Sequence, residues 1–105
     1  MTRKILYSPG FGAGWTTWHH GSDEEKLFML TYQPFIDVLE RGEKITDFHE
    51  MNFLADFRER FPDAEEPYLG GVGSLDVATV TGRVLIEEYD GSESYREESN
   101  TEGYL

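Results

Sequence analysis

The sequence predicts an α+β fold: a small antiparallel sheet, made from an N-terminal strand plus C-terminal hairpins, packed against about three helices. Three observations carry this expectation. Short runs rich in β-branched and aromatic residues lie at the two ends of the chain, over residues 3–7 and 75–97. Between them, apolar residues recur at helical spacing; two of the three runs are preceded by a residue suited to cap a helix, and the other opens on Pro34. The 105 residues are 38% hydrophobic and 14% aromatic, enough to bury one core and not two, so 1–105 is expected to be a single domain.

The elements follow in order. Arg3 to Tyr7 is a short apolar run ended by Ser8-Pro9-Gly10, the pattern of a strand running into a turn. After Gly21, Ser22 suits an N-cap and Asp23, Glu24 and Glu25 suit the first turn, where the helix dipole favours acids; a helix over about 23–32 is predicted. Pro34 is tolerated in the first turn of a second helix, with Phe35, Val38 and Leu39 at i, i+3 and i+4 before Gly42. Thr46 caps a longer third helix whose broad apolar face comprises Phe48, Met51, Leu54, Ala55, Phe57 and Phe61, ending at Phe61-Pro62. Strands are expected over 75–80 and 84–89, about a Thr81-Gly82 turn. Asp90-Gly91 is a type I′ hairpin signal that returns the chain as a strand over 92–97. Residues 98–105 are expected to be a frayed or docking tail.

Charge bounds the partners. The formal net charge is −12, which repels phosphate backbones and argues against direct nucleic-acid binding. The acids crowd late, with Glu87, Glu88, Asp90, Glu93, Glu97, Glu98 and Glu102 answered by Arg96 over residues 84–105. Such a run serves as a solvated face, or as a surface that imitates nucleic acid or pairs with a basic partner. With no cysteine there are no disulfides and no thiolate metal sites. No apolar run approaches the roughly 20 residues of a membrane span, and the N-terminus lacks a signal-peptide core, so a soluble, intracellular protein is expected.

Residues 7–18, Tyr-Ser-Pro-Gly-Phe-Gly-Ala-Gly-Trp-Thr-Thr-Trp, are the most particular stretch. Their glycine spacing matches neither the P-loop nor the dinucleotide fingerprint. What remains is a general capacity: successive backbone N–H groups can hold an anion, and nearby rings can stack on a base. Ser8, Gly10, Phe11, Gly12, Gly14, Trp15 and Trp18 are therefore the candidate ligand-binding residues. The competing structural reading is a tight turn whose aromatics enter the core. His19 and His20, near Asp23 and Glu24, do not make a metal site, because adjacent residues on an extended segment point opposite ways and His49 is the sole further histidine. No Gly-x-Ser-x-Gly stretch or Ser, His and Asp arrangement suggests nucleophilic catalysis. No enzyme activity, metal or cofactor is expected.

A two-residue Asp90-Gly91 turn pairs Tyr89 with Ser92, Glu88 with Glu93 and Ile86 with Tyr95. Like charges directly opposite are unfavourable, so Glu88 and Glu93 are either exposed or engaged by a cation, with Arg83, Arg96 or a base from another subunit as candidates.

Taken together, the segments Ile-Leu-Tyr-Ser-Pro-Gly-Phe-Gly-Ala-Gly-Trp-Thr-Thr-Trp and Ile-Glu-Glu-Tyr-Asp-Gly-Ser-Glu-Ser resemble a group of small proteins of tailed bacteriophages. The resemblance implies a phage accessory protein in a bacterial host cytoplasm, and it supplies no catalytic residue. In that setting the expected function is non-enzymatic binding of a small nucleotide-derived ligand, sequestering a host immune signal. The alternative is an acidic inhibitor that contacts a host protein or mimics nucleic acid. A homo-oligomer is expected, because a symmetric interface beside the glycine loop would complete a pocket that so short a chain encloses poorly.

Overall fold

A computed structural model describes residues 2–10, 12–97 and Leu105. Phe11 and the expected tail over 98–104 lie outside the described residues. The architecture is α+β, with two antiparallel sheets of two strands each. Strand β1 (Arg3–Tyr7) pairs with β2 (Asp76–Val80), and β3 (Val84–Tyr89) pairs with β4 (Ser92–Glu97). Between β1 and β2 lie helices α1 (Asp23–Leu30), α2 (Gln33–Glu40) and α3 (Asp47–Arg60).

The single sheet expected from the sequence is therefore divided, and the backbone around Thr81-Gly82 gives the reason. A hairpin would link β2 to β3 there; instead Glu97 Oε1 accepts the Thr81 N–H at 2.6 Å and the Arg3 guanidinium donates to the Gly82 carbonyl at 3.1 Å. Val84 exchanges both backbone bonds with Leu105, at 2.7 and 2.8 Å. With their polar groups answered in this way, the turn residues do not need a ladder across β2 and β3. The two sheets meet elsewhere. The Glu93 N–H donates to the Ser8 carbonyl at 2.6 Å, and the Gly12 N–H to the Asp90 carbonyl at 3.0 Å, which ties the start of β4 to the end of β1.

Local signals fix the helix starts. Ser22 and Glu25 form a reciprocal capping box at α1. Pro34 sits in the first turn of α2, and the Thr46 N–H at the head of α3 donates to His49 Nδ1 at 2.9 Å. Helix α1 stops at Leu30, two residues short of the expected end, because Tyr32 takes an extended conformation and caps α2.

Helix α3 also corrects its expected apolar face. Of that face Phe57 is fully buried as expected, whereas Phe48 and Met51 are each 69% exposed, and Phe53, which the expected face omits, is fully buried. Phe53 and Phe57 are one turn apart and define the inward stripe; Phe48, Met51 and Ala55 follow a second stripe that faces outward. The main core gathers Trp15, Met29, Tyr32, Phe35, Phe53 and Phe57 around Leu6. A second cluster packs Ile5 with Leu30, Ala78, Val80 and Val84. Ile5 and Leu6 point to opposite faces of β1 and both are buried, so this strand is apolar on two sides.

Candidate functional site

The loop from Ser8 to Trp18 leaves β1 and ends in a short 3-10 turn over Thr16–Trp18. Such a turn begins with backbone N–H groups that have no partner within it. Here they converge on one carboxylate of the protein itself. Glu93 is 2% exposed, and its Oε2 accepts the Trp15 N–H at 2.7 Å, the Thr17 N–H at 3.2 Å and the Thr17 hydroxyl at 2.5 Å. Its Oε1 accepts the Ser8 N–H at 2.8 Å. All four partners are donors, which suits an acceptor-only carboxylate and offsets the cost of burying it.

Two glycines make this closure possible. A Cβ at Gly14 would come within 2.6 Å of the Thr17 hydroxyl and 2.7 Å of the Trp18 ring. A Cβ at Gly91 would strike the backbone of Gly12 and Ala13, and Gly91, at φ +83, follows Asp90 at φ +51 in the type I′ turn that brings Glu93 round. The strand register is the one this turn dictates, with Glu88 opposite Glu93 and Tyr89 opposite Ser92.

The remaining candidate residues take different places. Ser8 is fully buried, with its Oγ donating to the Ala13 carbonyl at 3.0 Å. Gly10 packs against Ser74, and Gly12 is exposed at φ +105. Trp15 belongs to the core: it is 0% exposed, its ring lies 5.2 Å from Phe53 and 6.0 Å from Phe35, and its Nε1 donates to the Met29 carbonyl at 2.9 Å. It has no exposed face on which a base could stack. Trp18, in contrast, is half-buried at the surface. Its ring stacks on Tyr68, with centroids 5.7 Å apart, and its Nε1 donates to Glu88 Oε1 at 2.9 Å.

Glu88 and Glu93 are thus both engaged, and by N–H and O–H donors rather than by an arginine. Arg96 pairs with Glu87 at 3.3 Å, and Arg83 is exposed in the turn before β3. Trp18 and Tyr68 line an open cleft of about 400 Å³ together with Thr17 and His20. The sequence does not single out Tyr68, and it brings His20 forward only as a metal ligand to be weighed. Tyr68 lies 50 residues from Trp18 in the chain, and no local pattern joins them. An adjacent recess of about 280 Å³ on the β3–β4 hairpin is lined by Glu87, Glu88, Tyr89, Ser92 and Ser94.

The other histidines have structural partners. His49 is in the α3 cap, and His19 is 4% exposed, meets Phe57 edge to face and bonds Glu25 at 2.8 Å through Nε2. No group of three His, Cys, Asp or Glu is arranged to hold a metal among the described residues.

The contact with His19, followed by those with the Ser22 cap, holds the Glu25 carboxyl below its ordinary value of 4.5. A carboxyl lowered in the folded state binds protons less readily there than in the unfolded chain. Its contribution is present above the ordinary carboxylate range and is lost as pH falls through and below it. Glu25→Gln should therefore flatten the stability profile between neutral and acid pH, as read by urea unfolding; an unchanged acid slope would show that the contact contributes nothing.

Compared with protein families, curated proteins and solved structures, the chain matches none of them.

Proposed function

We propose that this chain is a non-enzymatic binding protein that acts by docking its acidic surface on a basic protein partner. The observation that supports this reading is the occupation of the loop's N–H groups by Glu93. Glu93 takes the N–H groups of Ser8, Trp15 and Thr17, and the Asp90 carbonyl takes that of Gly12, so a nucleotide phosphate at the loop would find these donors occupied, and a second anion beside a buried carboxylate is repelled. What the loop presents outward is Trp18 with Tyr68, beside Glu88 and within a field of net charge −12. Aromatic rings together with carboxylates suit a basic protein surface. The resemblance to phage accessory proteins adds the setting of a host protein bound in a bacterial cytoplasm. Among the described residues, no helix is long and apolar enough to cross a membrane.

Isothermal calorimetry with a peptide rich in arginine and lysine tests the reading. Binding should be measurable at low salt and weaken as salt rises, since exposed charges are screened. Absence of heat at both salt concentrations would refute it. A second reading, a nucleotide-derived ring ligand sequestered by the protein, is favoured by the cleft of about 400 Å³ on Trp18 and Tyr68. A nucleotide bound more tightly than the peptide would put that reading first.

A homo-oligomer belongs to the same proposal. Phe48 and Met51, one turn apart and exposed on α3, form a stripe that a two-fold axis could set against itself. Light scattering should give a mass above the monomer, and Met51→Glu should return it to the monomer. A wild-type monomer throughout the micromolar range would rule the oligomer out.

A further inference from the structure

We infer that the cleft formed by Trp18 and Tyr68, together with the Glu88 carboxylate that accepts the Trp18 indole N–H, is a binding site for the guanidinium group of an arginine side chain. The inference rests on the basic-partner reading and gives it a location. Trp18 and Tyr68 stack with their planes 30° from parallel and border an open volume of about 400 Å³, with Tyr68 55% exposed. The rings are too close for a ligand to pass between them, so a flat group must lie on their open faces and edges. A planar cation suits such a platform, because the ring faces carry negative quadrupole potential.

Glu88 supplies the directional contact. Its Oε1 is held by the Trp18 indole N–H at 2.9 Å, which fixes the carboxylate against the ring. Among the described residues its Oε2 has no hydrogen-bond partner. A guanidinium stacked on the rings can donate to that oxygen, combining a charge-assisted bond with ring contact. An ammonium fits less well, being a compact and strongly hydrated charge without a flat face. A phosphate is disfavoured by the same carboxylate. Glu87, on the adjoining recess, adds negative charge to the neighbourhood, although Arg96 partly answers it.

The site can be read at the Trp18 indole N–H by proton–nitrogen NMR on the full chain. N-acetyl-arginine amide is the probe, with the citrulline amide as its neutral isostere, the lysine amide as the alternative cation and adenosine monophosphate as the anionic ring. The arginine probe should move the Trp18 resonance saturably and more tightly than lysine, while citrulline should leave it in place. Glu88→Gln keeps a carbonyl for the indole but removes the charge, so it should weaken arginine binding by about threefold to tenfold. Glu59→Gln, an exposed acid on α3, should change nothing, and the dispersion of the remaining amide signals reports whether each variant is folded.

Equal weakening by Glu88→Gln and Glu59→Gln would overturn the inference, because attraction would then belong to the overall charge. If the arginine probe leaves Trp18 unmoved while the basic peptide still binds, this site falls and the basic-partner reading stands. If neither binds and adenosine monophosphate moves Trp18, both fall.

Discussion

Glu93→Ala is expected to lower the unfolding free energy by about 3–5 kcal/mol, a large part of the stability of a domain this size. The side chain is 2% exposed and gathers three backbone N–H groups and one hydroxyl. Removing it leaves the N–H groups of Ser8, Trp15 and Thr17 without their acceptor. Each such group costs about 1–3 kcal/mol if it stays buried, and partial exposure of Thr17 lets water recover some of the loss. Glu93→Gln should fall between wild type and alanine, since its carbonyl can still serve one of the two sets of donors. Urea unfolding followed by circular dichroism measures both variants. Salt should change the difference little, because the contacts are shielded from solvent. An unchanged midpoint for Glu93→Ala would show that the loop's donors find water instead, and would reopen the loop as a place for an external anion.

This carboxylate also shows how far the sequence was legible. Two observations stood side by side in it: a run of loop N–H groups without an anion, and a cross-strand pair of glutamates without a cation. Each answers the other, but the link requires knowing that β4 starts against the end of β1, 85 residues away from Ser8. Short-range chemistry, by contrast, was readable. Ser22 with Glu25 gave the start of α1, and Asp90-Gly91 gave both the turn and the Glu88–Glu93 register, because capping and type I′ geometry are decided within a few residues.

What escaped the sequence was the choice among faces and partners. Helix α3 carries apolar residues around most of its circumference, so its pattern placed Phe57 inward but did not select Phe53 over Phe48 and Met51. That choice was made by the rings of Trp15, Phe28 and Phe35, which come from other segments. The division into two sheets depended likewise on Arg3 and Glu97 satisfying the turn between β2 and β3, long-range bonds that no local propensity encodes.

The two tryptophans of the loop should respond in opposite ways to truncation. Trp15→Ala removes a ring that is 0% exposed and packed against Phe35 and Phe53, and it leaves the Met29 carbonyl without its indole donor. Large-to-small changes of this kind cost about 3–5 kcal/mol, and the cavity here is bordered by rigid rings that collapse poorly. Trp18→Ala forfeits a half-exposed ring, its stack on Tyr68 and an exposed hydrogen bond to Glu88 that water can replace, for which about 1 kcal/mol is expected. Thermal and urea denaturation of the two variants should therefore separate widely, with Trp15→Ala close to unfolding and Trp18→Ala near wild type. Binding should divide the other way: Trp18→Ala should lose recognition of the basic peptide while remaining folded. If Trp15→Ala instead melts like wild type and loses binding, the ring is reachable from solvent, and the loop would be a recognition surface along its whole length rather than at its Trp18 end.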